Sequence, residues 1–307
     1  MKKRILEMLQ KSSRPLSGPE LSRELEVSRV AVWKHIDQLR QSGHEIESTA
    51  GGYRLVTVPD TPFPWLFGPR SALIHYYPEL DSTMNRATEL ARAGCPSHTV
   101  VVADRQLQGR GRMQRQWDSG EGGLYFSIVV RPALPPRECP IINLAVALDL
   151  VATLARCCGI TARVKWPNDL LVDGRKIAGI LSQMEIEGDQ VAFVNVGIGL
   201  NLNNEPEVAD KPAVSALQLT GEKVNRAQVL ADFLQRFETR MATFSRREVL
   251  RQWRERTVTL GRQVTITTLR DDCEGLAVDI DDEGGLIVEL ADGSRRTVFY
   301  GDCFHTL

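Results

Sequence analysis

The chain has 307 residues, of which 42% are hydrophobic and 25% charged, and its formal net charge is −1. This length allows two or three domains with a sizeable buried core. Because the net charge is close to zero, overall electrostatics give no reason to expect a nucleic-acid or membrane partner, and any such partner must be recognised from local features.

The N-terminus and the most apolar stretch both argue against export and membrane insertion. Residues 1–16 begin with basic residues but lack the apolar run and cleavage site of a secretory signal. The most apolar stretch, 141–160, contains Asp149 and Arg156, which predicts a buried helix. We therefore expect a cytoplasmic protein with no membrane partner. The six cysteines show no C-x-x-C pair or metal-type spacing, which predicts reduced core thiols.

Residues 1–58 have the pattern of three short helices followed by a hairpin. The second helix begins at Ser17, where Glu20 three residues later predicts a capping box, and the third begins at Ser28. A Gly-Gly pair then marks the turn of a hairpin. This order predicts a winged helix-turn-helix DNA-binding domain.

The residues expected to contact DNA lie at the start of the third helix and away from its apolar face: Ser28, Arg29, Trp33, Lys34 and His35. The charge of this region is modest, because residues 1–56 contain ten Lys and Arg against seven Asp and Glu, a net of 10 − 7 = +3. A helical protein-interaction module, with these side chains on an ordinary solvated face, remains an alternative.

A proline-rich linker over residues 59–70 predicts a domain boundary, since it resists regular structure. Strands then alternate with helices over residues 71–258, which predicts a mixed α/β domain closed by one helical stretch from Arg226 to Arg256. The nearly all-apolar segment 191–202 predicts a central strand. Residues 259–307 contain four short strand segments and predict a small SH3-like β barrel, so the whole chain is expected to be α+β.

Two neighbouring motifs in the central domain contain charged residues that could take part in a reaction. In KWPND, Lys165–Asp169, Pro167 is expected to break a strand so that Asn168 and Asp169 leave it on a turn. Shortly afterwards, the Asp-Gly pair at 173–174 predicts a type I′ hairpin turn. Lys176 follows that turn directly.

The segment Gln106–Arg115 places three arginines and two glycines in seven residues, 109–115, directly after a predicted strand. The glycines allow backbone conformations that other residues rarely adopt, and the arginines supply guanidinium donors. This composition is typical of an anion-binding loop. A solvated basic turn is the alternative from this segment alone. The dinucleotide fingerprint, the P-loop, the G-x-S-x-G elbow and the H-E-x-x-H motif are all absent from the sequence.

Together these groups suit a reaction in which a carboxylate attacks the α-phosphate of a nucleotide. Arg110, Arg112 and Lys176 can offset the charge of two repelling anions, and Asp169 can help to hold Mg²⁺. Each residue also has an ordinary interpretation. Lys176 can be a solvated edge-strand lysine, Asp169 a turn residue, Gln106 a strand-end hydrogen-bonding residue, and Trp117 a core aromatic.

Three ordered motifs, DSTMNRA at 81–87, QLQGRGRMQRQW at 106–117 and KWPNDLLVDGRKIAGIL at 165–181, resemble those of biotin protein ligases. SRVAVWKHI at 28–36 further resembles the bifunctional bacterial class, which also represses biotin-synthesis genes. The resemblance implies a central domain of the biotin/lipoate ligase type. It also implies an enzyme that converts biotin and MgATP to biotinoyl-5′-AMP. That enzyme then transfers biotin to a lysine of the biotin carboxyl carrier protein of acetyl-CoA carboxylase.

The resemblance assigns the biotin and adenylate site to seven residues: Ser82, Thr83, Gln106, Arg110, Gly111, Arg112 and Lys176. Among them, Lys176, Arg110 and Arg112 are expected to act on the reacting groups. The sequence departs from the family pattern in having Met84 between Ser-Thr and Asn85. Residues 113–123 are expected to be mobile without ligand and ordered by the adenylate, which would promote a homodimer that brings two winged domains to operator DNA.

Three alternatives remain at this stage. The protein can be a biotin-sensing repressor without ligase turnover, or a related acyl ligase such as one that transfers lipoate. It can also be a biotin ligase whose winged domain only positions the catalytic domain and has no operator role.

Overall fold

The computed structural model describes residues 1–206, 212–268 and 271–305. By its internal contacts the chain divides into two compact units, residues 1–71 and residues 72–307. The six cysteines are free thiols, as predicted, and three of them are buried: Cys139, Cys273 and Cys303.

The N-terminal unit is a winged helix-turn-helix, which confirms the prediction. It comprises α1 (Lys2–Lys11), α2 (Gly18–Leu25), α3 (Arg29–Gln41), β1 (Glu45–Thr49) and β2 (Gly52–Thr57). Strands β1 and β2 pair as an antiparallel hairpin. The apolar stripes of the three helices form one core, to which α3 contributes Val32, Ile36 and Leu39.

Two serines begin helices in this unit, as the sequence predicted. Ser17 Oγ accepts a hydrogen bond from the backbone N–H of Glu20 at 3.3 Å, and Ser28 Oγ accepts one from Ala31 at 3.2 Å. The predicted capping box at α2 is only half correct, because the Glu20 carboxylate pairs with Arg14 at 2.6 Å. A guanidinium partner competes well with a backbone donor for a carboxylate.

The linker region contains more structure than its prolines predict. Short 3₁₀ turns lie within Pro64–Leu73, interrupted at Gly68. Phe63 is buried and its ring stacks on that of Trp65, with 4.4 Å between centroids. Proline prevents longer helices here, but single 3₁₀ turns need few backbone donors.

A seven-stranded mixed sheet organises the second unit. Its strands are β3 (Ile74–Leu80), β4 (Val100–Gln106), β5 (Leu124–Val130), β6 (Arg163–Lys165), β7 (Asp169–Val172), β8 (Arg175–Glu187) and β9 (Gln190–Leu200). Their spatial order is β3-β4-β5-β9-β8-β7-β6, with β3 and β4 parallel and the remaining neighbours antiparallel. The apolar segment predicted as a central strand is β9, in the middle of this order.

Helices cover both faces of the sheet. They are α4 (Thr83–Arg92), α5 (Ile141–Cys158), α6 (Ala216–Thr220), α7 (Arg226–Ala242) and α8 (Arg246–Arg256). Ala87 of α4 packs against Val129, whereas Phe233 of α7 contacts Phe126. Because Phe126 and Val129 lie three residues apart on β5, they point to opposite faces.

The prediction of one helical stretch from Arg226 to Arg256 is wrong. The helix α7 ends at Ala242, and a second helix, α8, begins at Arg246. Ser245 caps α8, since its Oγ accepts a hydrogen bond from the backbone N–H of Glu248 at 3.4 Å. The apolar periodicity continues across this break, so periodicity alone did not reveal it. Serine stabilises a new helix N-terminus more than a helix interior.

The apolar helix predicted to be buried is α5. Among the described residues, the segment Pro136–Cys158 is long and apolar enough to cross a membrane, but 67% of its apolar 18-residue stretch is buried inside the protein. It packs under the sheet and against α7 and α8. This burial is that of a core helix.

The C-terminal part forms a small antiparallel sheet of the predicted SH3-like type. Its strands are β10 (Gln263–Thr267), β11 (Asp272–Ile280), β12 (Leu286–Glu289), β13 (Arg295–Val298) and β14 (Asp302–His305), in the order β13-β12-β11-β10-β14. Four strand segments were predicted, and β14 was not recognised as a fifth. It matters for function because β14 begins at Asp302, beside the central cavity.

Candidate active site

One cavity of about 540 Å³ in the second unit brings together the residues singled out in three separate motifs. It is lined by all eight residues predicted for biotin, adenylate and metal: Ser82, Thr83, Gln106, Arg110, Gly111, Arg112, Asp169 and Lys176. The sheet order explains the convergence, since the motifs lie at the ends of β4, β7 and β8 and at the start of α4.

Hydrogen bonds hold the inner wall of the cavity. Gln106 Oε1 accepts from the backbone N–H of Thr83 at 2.8 Å and from the Thr83 hydroxyl at 3.0 Å. Gln106 Nε2 donates to Ser119 Oγ at 2.9 Å, and Ser127 Oγ donates to Thr83 Oγ1 at 2.9 Å. Gln106 is therefore both a strand-end hydrogen-bonding residue and a wall residue.

Ser82 differs from its neighbours because its hydroxyl has no partner. It is 1% exposed, and Ser82 Oγ makes no hydrogen bond within the described residues. A buried polar atom without a partner is unfavourable unless a ligand or water binds it. This hydroxyl lines the cavity and so fits the polar head group of a ligand.

The unusual Met84 lies in the wall, and Asn85 does not. Met84 is buried and lines the cavity, where a side chain at Gly197 would collide with its sulfur. Asn85 Nδ2 instead donates to Asp81 Oδ2 at 2.5 Å, a bond that lowers the pKa of the Asp81 carboxyl. The departure from the family pattern therefore adds an apolar surface to the pocket.

The segment Leu107–Gly123, which we call the ligand loop, folds over the cavity. Arg112 donates to Asn168 Oδ1 at 3.1 Å and to the Gly301 carbonyl at 2.8 Å. Arg115 forms an ion pair with Asp302. In this arrangement, two arginines attach the loop to the KWPND turn and to the edge of the C-terminal sheet.

The guanidinium of Arg112 is largely removed from solvent, which is unfavourable for a charged group. Loss of solvent lowers the pKa of its guanidinium, and the charges of Asp302 and Asp169 offset part of this effect. Arginine stays protonated at physiological pH, so the cost of burial is borne by the folded protein. A bound phosphate or carboxylate would reduce that cost.

Trp117 occupies a slot made by two glycines that face each other on β8 and β9. A Cβ built on Gly199 would lie 2.3 Å from Trp117 Cε2, and one on Gly179 would lie 2.8 Å from Cζ3. Lys176 Nζ lies 5.1 Å from the centre of the indole ring. Trp117 is therefore a wall residue of the cavity, and its buried Nε1 has no partner within the described residues.

Lys176 and Asp169 form a direct ion pair across the β7–β8 hairpin, with Nζ 2.6 Å from Oδ1. The predicted turn between them is present, because Asp173 and Gly174 both have positive φ angles of 49° and 76°. The predicted turn before β7 is present and includes Asn168, but Asp169, which was expected on the turn, is the first residue of β7 and pairs with Lys165. Both side chains are partly buried in the cavity wall, so neither is an ordinary solvated surface residue.

The carboxylates suit a magnesium ion that arrives with a nucleotide. Within the described residues no group of three or more His, Cys, Asp or Glu could hold a metal. The cavity carboxylates are Asp118, Asp169 and Asp302, of which the last two already face cations. Mg²⁺ is commonly held by one or two carboxylates together with substrate phosphates, which is the pattern that these residues permit.

Sequence reasoning missed several residues that line the cavity. Asp302, Cys303 and Phe304 come from β14, and no local signal in the sequence points to them. Gly179 and Gly199 did carry a signal, because an isolated glycine within a strand often marks a close approach. Burial raises the pKa of the Cys303 thiol to about 11, so it stays neutral at physiological pH and is a poor nucleophile.

The predicted DNA-binding residues lie together in the N-terminal unit. Ser28 caps α3, and Arg29, Trp33 and Lys34 are exposed along its first two turns. His35 is half-buried on the side of the helix, and its Nδ1 has no partner within the described residues.

Comparisons with known proteins agree with this arrangement. The model of the Biotin/lipoate A/B protein ligase family matches residues 76–201, that of an HTH domain matches 2–54, and that of the Biotin protein ligase C terminal domain matches 259–306. The Bifunctional ligase/repressor BirA of Bacillus subtilis is 37% identical over 297 residues, which covers 92% of this chain and 91% of that protein. The Biotin--[acetyl-CoA-carboxylase] ligase of Paracoccus denitrificans is 33% identical, over 72% of this chain and 98% of its own.

A solved structure extends the similarity to the fold. The biotin protein ligase from Aquifex aeolicus in complex with biotin and ATP has 28% sequence identity and a TM-score of 0.64, over 76% of this chain and 98% of its own. Relatives above 30% identity that span nearly the whole chain, and domain matches in the same order, exclude a chance resemblance. The chain belongs to the biotin protein ligase family, in the class that carries an N-terminal helix-turn-helix domain.

Proposed function

We propose that the protein is an ATP-dependent biotin–[acetyl-CoA-carboxylase] ligase that also represses transcription of biotin-synthesis genes. The observation that carries the ligase assignment is the convergence of three distant motifs on one cavity that has a polar inner wall and a cationic cover. The winged unit and the relatives named bifunctional ligase/repressor support the second role.

Biotin occupies the inner part of the cavity. Ser82 Oγ is a buried group with no partner among the described residues, and Thr83 and Gln106 are fixed beside it by hydrogen bonds of 2.8 and 3.0 Å. The cyclic urea of biotin has both donors and a carbonyl acceptor, so it can satisfy such a wall. Met84 and Gly197 provide the apolar surface and the space that the thiophane ring and valeryl chain require.

Adenylate formation takes place under the ligand loop. A biotin carboxylate oxygen attacks the α-phosphorus of ATP, the bond to the β-phosphate oxygen breaks, and pyrophosphate leaves. Lys176, Arg110 and Arg112, with Gly111 allowing close approach of the backbone, stabilise the charge that develops on the phosphate. In the second step the acceptor lysine amine attacks the biotinoyl carbonyl carbon, AMP leaves, and an amide forms with loss of one proton.

Asp169 would help to hold a magnesium ion bound to ATP, since Lys176 engages only its Oδ1, and such an ion would neutralise phosphate charge. The Lys176–Asp169 pair keeps the ammonium group oriented into the cavity. Arrival of the phosphates gives Lys176 a second anionic partner.

Repression requires the winged unit to reach operator DNA as a homodimer. We infer that the adenylate orders residues 113–123 of the ligand loop and so promotes dimerisation, which brings two α3 helices to two half-sites. Sedimentation with and without biotin and MgATP tests this coupling. A dimerisation constant that does not change on addition of both substrates would disprove it.

The ligase assignment is tested by incubating the protein with labelled biotin, MgATP and the biotin carboxyl carrier domain. Label is expected on the carrier, and none is expected on a carrier whose acceptor lysine has been replaced. Unlabelled biotin in excess should abolish transfer, whereas lipoate should not. Efficient lipoyl transfer would favour the related acyl-ligase activity, and release of adenylate without transfer would favour a sensor without turnover.

A further inference from the structure

Helix α3 has an apolar surface that its own fold does not use. Its inward face buries Val32, Ile36 and Leu39 in the core of the N-terminal unit. On the opposite face, Val30 is 72% exposed and Trp33 is 55% exposed. Residues three apart on a helix are neighbours, so these two side chains form one patch in the first two turns of α3.

The surroundings of this patch are cationic. Arg29 precedes Val30 and Lys34 follows Trp33, both are exposed, and the first turn of α3 contains no acidic residue. Neither cation forms a salt bridge within the part of the chain that the structure describes. Ser28 caps the N-terminus of α3, and the patch lies in the first two turns after it. The positive end of the helix dipole is therefore close to the patch. The flanks of the patch are therefore complementary to phosphate.

We propose that Val30 and Trp33 determine operator specificity by contacting the 5-methyl groups of thymines in the major groove. This inference rests on the DNA-binding function proposed above. In a helix-turn-helix, the N-terminal residues of the second helix reach the base edges. Thymine is the base that presents an apolar group there, and the exposed apolar surfaces of Val30 and Trp33 can contact that 5-methyl group.

The charged and the apolar residues of α3 have different roles in this proposal. Arg29 and Lys34 contact phosphates and set the position of the helix without reading sequence. Val30 and Trp33 bury their exposed apolar surface against thymine methyl groups. Each methyl removed from such a contact should weaken binding about fourfold, the value for one buried carbon.

The experiment begins with selection of duplexes from a random pool by the full-length protein in the presence of biotin and MgATP. In the selected duplex, each thymine is then replaced singly by deoxyuridine, which removes the methyl group and leaves base pairing intact. Replacement at the contacted positions should weaken binding by the parent protein about fourfold. The same replacement should have little further effect on Val30→Ala or Trp33→Ala, so the two changes should not be additive.

Lys34→Ala is the matched control, because it changes the same helix face through a phosphate contact. It should weaken thymine and deoxyuridine duplexes equally and lower the salt dependence by about one charge. Thermal unfolding of all variants should match the parent, since these side chains are outside the core.

The outcomes separate this inference from the function on which it rests. If no sequence is enriched, the repressor function fails and the thymine contacts fail with it. If a sequence is enriched but thymine and deoxyuridine duplexes bind equally, only the methyl contacts are overturned. If Val30→Ala or Trp33→Ala changes self-association while DNA affinity is unchanged, the patch contacts another protein copy and the inference is overturned.

Discussion

Ser82 and Thr83 are adjacent in the sequence, but their hydroxyl groups have different surroundings. Thr83 Oγ1 bonds both Gln106 and Ser127, whereas Ser82 Oγ has no partner within the described residues. A buried unsatisfied hydroxyl costs about 1–3 kcal/mol. Replacing Ser82 with alanine removes this cost, so the change should not destabilise the fold. We predict that Ser82→Ala keeps or raises the unfolding temperature while the Kd for biotin rises about tenfold.

Calorimetric titration and thermal unfolding of the same samples measure both effects of the Ser82 change. Thr83→Val provides the contrast, because it removes the hydrogen bonds of Thr83 Oγ1 to Gln106 and Ser127 and should lower the unfolding temperature. A Ser82→Ala variant that unfolds earlier but binds biotin normally would show that the hydroxyl is structural.

Lys176 is expected to stabilise the charge that develops on the attacked phosphate. Its ammonium group is held by Asp169 at 2.6 Å and faces the indole of Trp117. Removing one group that stabilises developing charge typically costs about 10²- to 10³-fold in rate, so Lys176→Ala should slow pyrophosphate release by that factor. Lys223→Ala changes an exposed lysine outside the cavity and should leave the rate unaltered. If Lys176→Ala biotinylates the carrier as fast as the parent, the role assigned to Lys176 is refuted.

At the scale of elements, the ligand loop depends on the two strands beneath it. Gly179 on β8 and Gly199 on β9 are cross-strand partners, and the Trp117 ring lies on both. The loop is also attached by Arg112 to the Gly301 carbonyl and by Arg115 to Asp302. Its closed arrangement is thus supported by the main sheet on one side and by the C-terminal sheet on the other.

We predict that Gly199→Ala displaces the loop, because its Cβ would lie 2.3 Å from the indole. Overpacking of this kind costs about 1–3 kcal/mol, which corresponds to a loss of roughly 10- to 100-fold in adenylate formation. Tryptic cleavage at the loop arginines should become faster and should no longer be slowed by biotin and MgATP. Gly120→Ala in the same loop meets no atom within 4 Å and should behave like the parent. Equal cleavage rates in the two variants would contradict the packing role of Gly199.

At the scale of the whole molecule, a half-buried histidine in the C-terminal sheet makes the stability of the fold sensitive to pH. The Nε2 atom of His305, on β14, lies 3.3 Å from Thr259 Oγ1. Burial, aided by Lys165 and Arg262, lowers the pKa of His305 to about 4. In the unfolded chain histidine has a pKa of about 6.5, so the unfolded state binds more protons between these two values.

Stability should therefore decrease as the pH falls from about 6.5 to about 4, by roughly 2 kcal/mol for His305 after allowance for partial exposure. We predict that His305→Gln reduces the fall in unfolding temperature between pH 7 and pH 4.5. Other histidines contribute to the pH dependence in both proteins, so the difference between the two slopes is the quantity to measure. Identical slopes would show that His305 is not a linked group.

Much of the local structure was predictable because it depends on neighbouring residues. Ser28 begins α3, the Asp173-Gly174 pair forms the hairpin turn, and the apolar run of β9 is the central strand. Predictions failed where two local signals competed. The helix break at Ser245 lies within continuous apolar periodicity, and Arg14 takes the carboxylate that a capping box would use.

The sequence by itself determined the family, the winged N-terminal domain and the three motifs that carry charge, since each resides in a short stretch with its own conformational preference. Only the tertiary structure decided which side chains meet. The Lys176–Asp169 pair, the slot beneath Trp117 and the approach of Asp302 to Arg115 depend on strand register and sheet order. Those are set by packing between residues distant in the chain, and no local pattern encodes that packing.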